Sequence, residues 1–190
     1  NMLHGSTGSD VIYGANLNDT LLGDTDHDML YGLAGDDVLD GGTGNDSLFA
    51  GAGNDRALGG DGNDVLWGEA GEDRLEGGSG ADVLIGGAGR DTMIGGAGAD
   101  IFQFKTFQDS GTGAAADIVT DFQQGSDRVD LRPLGLTWIA GSQFSGAAGQ
   151  LRVQATAEGT LLSVDVDGDR VADLAIRLFG PLLGMADLML

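Results

Sequence analysis

Eleven aspartates stand nine residues apart in an unbroken series: Asp10, Asp19, Asp28, Asp37, Asp46, Asp55, Asp64, Asp73, Asp82, Asp91 and Asp100. Stacked at short range, carboxylates in such numbers repel one another unless a cation lies between them. Each is preceded by glycine: the position five residues before the aspartate is Gly in ten units, with Ala50 the exception, and the position two before is Gly in nine, with Leu17 and Asp26 the exceptions. Glycine at these points permits backbone angles that a Cβ would obstruct and lets carbonyl oxygens converge closely. The chemistry on offer is therefore the binding of hard cations by oxygen.

The elements that must position these groups follow from the same period. Counting Asp as place six, eleven nine-residue units run from Gly5 to Gln103, and place eight is large and apolar in ten of them, from Ile12 through Leu39 and Leu84 to Phe102, with Ala57 the exception. Each unit reads as a six-residue glycine-rich turn ending in Asp, then a three-residue strand whose middle side chain points inward. Strands so short cannot hold a sheet alone, but stacked about 4.8 Å apart each buries its apolar residue against its neighbours.

Units such as Gly41-Gly42-Thr43-Gly44-Asn45-Asp46-Ser47-Leu48-Phe49 and Gly77-Gly78-Ser79-Gly80-Ala81-Asp82-Val83-Leu84-Ile85 resemble the repeats-in-toxin nonapeptide, a known calcium-binding repeat. The resemblance implies an all-β fold, a right-handed parallel β-roll with two units per turn and a C-terminal β cap, in which every second unit stacks on the same edge with Ca2+ between the loops. Several ions are expected. In the family pattern one loop donates carbonyls from places two and four and its Asp, and the next donates carbonyls from places one and three and its Asp. Carried over to one edge, this pairs Gly42, Gly44 and Asp46 with Gly59, Asp61 and Asp64, then Gly60, Gly62 and Asp64 with Gly77, Ser79 and Asp82, then Gly78, Gly80 and Asp82 with Gly95, Ala97 and Asp100. On the other edge Leu33, Gly35 and Asp37 meet Ala50, Ala52 and Asp55; Gly51, Gly53 and Asp55 meet Gly68, Ala70 and Asp73; and Glu69, Gly71 and Asp73 meet Gly86, Ala88 and Asp91. Asp28 is a further ligand candidate, although units two and three depart from the pattern at Ala15, Leu17, Asp24 and Asp26.

Composition agrees with a cation and excludes other partners. The chain has 190 residues, 36 Gly, 2 Pro and a formal net charge of −21, which opposes nucleic acid and anionic membrane surfaces. Its hydrophobic content of 41% is too high for a solvated acidic tail. Calcium takes six to eight hard oxygens, whereas the absence of Cys and the presence of only His4 and His27 disfavour zinc and copper. Neither a basic and apolar leader nor a bilayer-length apolar run is present, so no stable membrane insertion is expected.

The repeat covers residues 5–103, and residues 104–190 form a different segment. They carry 11 acids and 6 bases, and the period is lost. Asp117-Ile118-Val119-Thr120-Asp121-Phe122, followed by Gly125, Asp127, Val129, Asp130 and Leu131, looks like the capping segment of serralysin-type metalloproteases, and is also similar to mannuronan epimerase repeat modules. Thr160–Val166 and Val171–Leu178 read as alternating strands joined at Asp167-Gly168, a hairpin signal. The acids Asp165, Asp167, Asp169 and Asp173 suggest a solvated hairpin or an extra weak calcium site, but not an EF-hand, because the Gly comes too early. The chain ends Asp187-Leu188-Met189-Leu190, which looks like the C-terminal signal of type I secretion substrates, or else a last docking strand.

No catalytic residue is expected. The chain lacks a His-Glu-x-x-His helix, and its Gly-x-Gly stretches fall in the repeat register without a following Gly-Lys. The implied role is a secreted, extracellular folding and export module, attached to an upstream catalytic or adhesive domain and read by the type I secretion machinery. The alternative is a carbohydrate module of the epimerase kind, with a polysaccharide as partner and Arg56 and Arg74 as its cationic track. Places seven and nine of the odd units, including Tyr13, Tyr31, Phe49 and Trp67, predict an apolar outer face, covered at Trp67 by residues 134–144, by the terminal strands or by a partner.

Overall fold

A computed structural model describes residues 1–139, 143–180 and 185–190. In the repeat the strands are β1 (Met2–Thr7), β2 (Val11–Tyr13), β3 (Thr20–Thr25), β4 (Met29–Ala34), β5 (Val38–Thr43), β6 (Ser47–Ala52), β7 (Arg56–Asp61), β8 (Val65–Gly71), β9 (Arg74–Ser79), β10 (Val83–Gly89), β11 (Thr92–Ala97) and β12 (Ile101–Gln103). Alternate strands go to opposite sheets, and within each sheet the strands of successive turns pair in parallel. The molecule is a parallel β-solenoid, as the nonapeptide period requires. Its all-β class agrees with the sequence reading.

Place eight builds the core. Leu21, Leu39, Ala57, Leu75 and Met93 stack on one sheet, and Leu30, Leu48, Leu66, Leu84 and Phe102 on the other, all at 0% exposure. Each buried leucine contributes about 2 kcal/mol of transfer free energy. Ala57 breaks the size rule but not the column, sitting between Leu39 and Leu75.

Strand length differs from the sequence expectation. Most repeat strands have six residues, because pairing continues from places seven to nine through places one to three of the next unit. Gly44 N donates to Asp61 O at 2.7 Å and Gly62 N to Ser79 O at 2.8 Å. Close stacking of glycine backbones allows these bonds, so the true turn shrinks to places four to six.

The solenoid does not stop at Gln103. After the repeat come β13 (Asp117–Val119), β14 (Arg128–Asp130), β15 (Thr137–Trp138), β16 (Gln150–Ala155), β17 (Gly159–Asp165), β18 (Leu174–Phe179) and β19 (Leu188–Met189). β13 extends the first sheet, Val119 pairing with Met93, and β14 extends the second, Val129 pairing with Phe102. β16, β17 and β18 are antiparallel neighbours, which realises the expected hairpin with a longer connection, and β18 pairs in parallel with β13. The tail docks as β19 beside β14, Leu188 pairing with Val129.

Candidate metal centre

Turns from even-numbered units line one edge and carry Asp19, Asp37, Asp55, Asp73 and Asp91; the odd units carry Asp10, Asp28, Asp46, Asp64, Asp82 and Asp100 on the other. Within each edge the aspartates form a ladder. The amide of Asp28 donates to Asp46 Oδ1 at 2.8 Å, Asp46 to Asp64 at 2.8 Å, Asp64 to Asp82 at 2.8 Å and Asp82 to Asp100 at 3.0 Å. On the facing edge Asp37 donates to Asp55 at 2.7 Å, Asp55 to Asp73 at 2.8 Å and Asp73 to Asp91 at 2.9 Å. Only one oxygen of each carboxylate is used. The Oδ2 atoms of ten of the eleven repeat aspartates are buried without a hydrogen-bond partner, Asp19 being the exception.

An ionised carboxylate with a bare buried oxygen costs several kcal/mol unless it is neutralised. Burial accordingly pushes Asp55 and Asp64 up to about 6 and Asp73, Asp82 and Asp91 up to about 7, with neighbouring carboxylates adding to the rise. The free oxygens point toward other oxygens. A Cβ on Gly41 would lie 2.5 Å from Asp46 Oδ2 and 2.7 Å from Gly59 O, so side-chain and main-chain donors of two stacked loops converge on one cradle. At place four, Gly44 has φ +136°, and a Cβ there would come 1.8 Å from Asp26 O. These donors are all hard oxygens, which suit calcium.

The stacked register also brings the remaining candidates together. Gly42, Gly60, Gly78 and Gly96 lie in one row and Asp61, Ser79 and Ala97 in the next; Leu33, Gly51, Glu69 and Gly87 form a row on the other edge, beside Ala52, Ala70 and Ala88. At several positions where glycine is missing the backbone still takes positive φ, although not at Ala15 or Leu17. Asp24, Leu33 and Glu69 at place two and Asp26 at place four hold φ of +75° to +82°.

Two features escaped the sequence reading. First, place five forms an outer ladder of opposite polarity: Asn45 N donates to His27 Nδ1 at 2.7 Å, Asn63 N to Asn45 Oδ1 at 2.8 Å and Asn54 N to Asp36 Oδ1 at 2.9 Å. The run of Asn, His and Asp at place five in units two to seven was its signal. Second, the aspartate ladder continues into the cap. Asp91 N donates to Asp117 Oδ1 at 2.8 Å, Asp117 Oδ2 is again unpartnered, and burial pushes Asp117 up to about 9. Asp109, two repeat lengths beyond Asp91, is buried nearby and helps to raise both. Asp117 falls off the nine-residue period, which hides it from a search for the repeat.

The acids of the β17–β18 hairpin are engaged differently. Asp165 is buried and accepts from Gly168 N at 2.7 Å and Arg170 N at 3.0 Å, while Asp173 accepts from Val166 N at 2.7 Å. Oxygens of Asp165, Asp167 and Asp173 lie within 4.8 Å of one another, but their hydrogen bonds already account for the turn.

The outer face carries the expected rings. Tyr13, Tyr31 and Phe49 stack with centroids 4.7 Å apart, and Trp67 follows at 5.9 Å. Trp67 is half-buried, and its cover differs from the expected one: Lys105 Nζ lies 3.4 Å from the ring centroid, with Thr106, Gln108 and Asp109 beside it. The segment immediately after β12 reaches that face first. Of the segment 134–144, residues 140–142 lie outside the described residues.

Residues 30–190 match the peptidase M10 serralysin C-terminal family, and residues 1–30 match the calcium-binding nonapeptide repeat of repeats-in-toxin proteins. The chain belongs to the serralysin C-terminal family. A serralysin C-terminal domain is a non-catalytic structural module of secreted proteins, and its nonapeptide repeats bind calcium. Among solved structures, the chain is similar to the AlgE6R2 subunit of the Azotobacter vinelandii mannuronan C5-epimerase, with 28% identity, a TM-score of 0.52, and coverage of 89% of this chain and 83% of that one. It also matches the AlgE6R3 subunit of the same enzyme at 24% identity and TM-score 0.39, over 95% and 77% of the two chains. No curated protein matches the chain.

Proposed function

We propose that this serralysin C-terminal chain is a calcium-switched folding, stabilising and type I export module of a larger secreted protein, with any catalytic or adhesive domain lying upstream. The observation that carries it is the row of buried Asp Oδ2 atoms without partners, seven of which, such as Asp46 beside Gly59 O and Asp64 beside Gly77 O, adjoin a carbonyl of the next loop. Calcium neutralises that row. In this reading the ligand sets are the stacked loops from Leu33, Gly35 and Asp37 through Asp100, and Asp117 begins one more set above Gly87, Gly89 and Asp91. About six ions in the repeat bring roughly +12, reducing the net −21 to near −9. Residues 5–103 are the calcium-binding roll and 104–190 its cap.

Where calcium is scarce the carboxylates repel, and the chain stays open enough to be threaded through an exporter. Outside the cell, millimolar calcium binds only the folded form and so shifts the equilibrium toward it. The tail Asp187–Leu190 serves as the export signal in the open chain and as strand β19 in the folded one. Far-ultraviolet circular dichroism tests the switch: little sheet in chelator and a cooperative gain with calcium are expected. Equal sheet content in both conditions would overturn it.

The likeness to the epimerase subunit favours a second reading, a polysaccharide-binding module. Arg56 and Arg74 are paired neighbours on the outer face of β7 and β9, although Arg74 also contacts Glu76 at 3.3 Å. Alginate binding weakened by Arg56→Ala and Arg74→Ala supports this reading, and no binding near millimolar dismisses it.

A further inference from the structure

The two edges of the solenoid end differently. On the edge of Asp91, the terminal acid Asp117 keeps a bare buried oxygen, as the repeat aspartates do. On the edge of Asp100, the terminal acid Asp127 has both oxygens bonded: Oδ1 accepts from Asp100 N at 3.2 Å and Oδ2 from Gln123 N at 2.7 Å. Above loop Gly95–Asp100 lies the segment Asp121–Asp127, and it meets that loop group by group. Asp121 accepts from Gly95 N at 3.0 Å and from Gly96 N at 2.8 Å. Gln123 Nε2 donates to Gly96 O at 2.7 Å, and Ser126 Oγ donates to Gly98 O.

Gly96 and Gly98 hold places two and four, whose carbonyls face the next loop elsewhere in the stack: Gly42 O and Gly44 O face Gly60 and Gly62. In the last loop those same carbonyls are taken by an amide and a hydroxyl of the chain. Neutral donors stand where an ion would otherwise draw the oxygens together, and they need no desolvated charge. Asp100 Oδ2 lies over Gly95 much as Asp91 Oδ2 lies over Gly86; what sets this edge apart is that its place-two and place-four carbonyls already accept hydrogen bonds from Gln123 and Ser126.

We propose that Gln123 and Ser126 close this edge without an ion, making Gly95–Asp100 with Asp121–Asp127 a calcium-independent template on which the lower loops of that edge order as calcium binds. This rests on the calcium reading above. It gives the cap a task beyond covering an apolar end: one loop conformation is specified before any ion arrives, so the first ion meets a half-formed site.

Hydrogen exchange of the full chain in chelator at neutral pH tests the template. The amides of Gly95, Gly96, Asp100 and Gln123 should exchange at least tenfold more slowly than those of Gly60, Gly62 and Asp64. In the Gln123→Ala, Ser126→Ala double variant that difference should vanish. The calcium chloride midpoint of folding should rise about twofold, two lost hydrogen bonds being shared over several cooperatively bound ions, with the number of ions measured by calorimetry unchanged. Equal exchange at the two loops in the unaltered chain overturns the proposal, and so does loss of one ion in the double variant, since that would place an ion on Gly96 and Gly98. Absence of any calcium heat in the unaltered chain would instead overturn the calcium reading, and the template with it.

Discussion

The amide of Asp91 donates to Asp117 Oδ1 at 2.8 Å, while Asp117 Oδ2, buried beside it, has no partner. One residue of the cap thus completes a ladder that the repeat began. Replacing Asp117 with Asn keeps an acceptor for Asp91 N and removes the charge that burial disfavours. Asp117→Asn should bind one calcium ion fewer by calorimetry and show more sheet than the unaltered chain in chelator at neutral pH. An unchanged ion count would remove Asp117 from the metal centre.

Acid should partly replace calcium. Asp55 and Asp64 are pushed up to about 6 and Asp73, Asp82 and Asp91 up to about 7, from 3.8, chiefly by burial. Between these values the ion-free folded state holds protons that the unfolded state has released, so its stability falls as pH rises. The contribution is fully present below about pH 4 and is lost through pH 6 to 7. In chelator, circular dichroism at pH 5 should therefore show more sheet than at pH 7.5. With calcium bound the order reverses, because protons displace the ion from the same oxygens. Less sheet at pH 5 than at pH 7.5 in chelator contradicts this account.

Positive φ at non-glycine positions stores strain that substitution can release. Leu33 has φ +82° in a row whose other members include Gly51 and Gly87. Leu33→Gly should raise stability in calcium by about 1 kcal/mol, or roughly 2–4 °C in Tm. The reverse change is severe: Gly44→Ala places a Cβ 1.8 Å from Asp26 O, and should cost more than about 2 kcal/mol by urea unfolding. A neutral Gly44→Ala would show that the loops are looser than drawn.

Trp67 reports the cover of the outer face. In a Trp138→Phe background, acrylamide should quench Trp67 less efficiently than free tryptophan, and Lys105→Ala should increase quenching, because Lys105 lies over the ring. Quenching equal to that of free tryptophan before the lysine is removed would show the face to be open.

The tail offers a kinetic test. Asp187 is buried, accepts from Gly125 N at 3.0 Å and lies 3.7 Å from Arg128, and Leu188 and Met189 pair with β14. Carboxypeptidase should trim the chain rapidly in chelator and at least tenfold more slowly in calcium. Equal rates would mean that β19 does not hold the tail.

The nine-residue spacing of Asp10 to Asp100, the glycines around it and the apolar place eight determined the solenoid, its inward column and the oxygen chemistry of its edges, because each is a local property repeated until chance is excluded. Turn length was beyond its reach: whether places one to three pair as strand depends on how closely stacked glycine backbones approach. The closure of the two edges was also decided only in three dimensions. Asp117 falls off the nine-residue period, and Asp127, 27 residues beyond Asp100, falls off the 18-residue interval that separates stacked loops, while nothing local distinguishes the carboxylate left bare from the one satisfied by Gln123. That distinction arises from which side chains the cap folds over each loop, a long-range outcome of packing β13 and β14 onto the last turn.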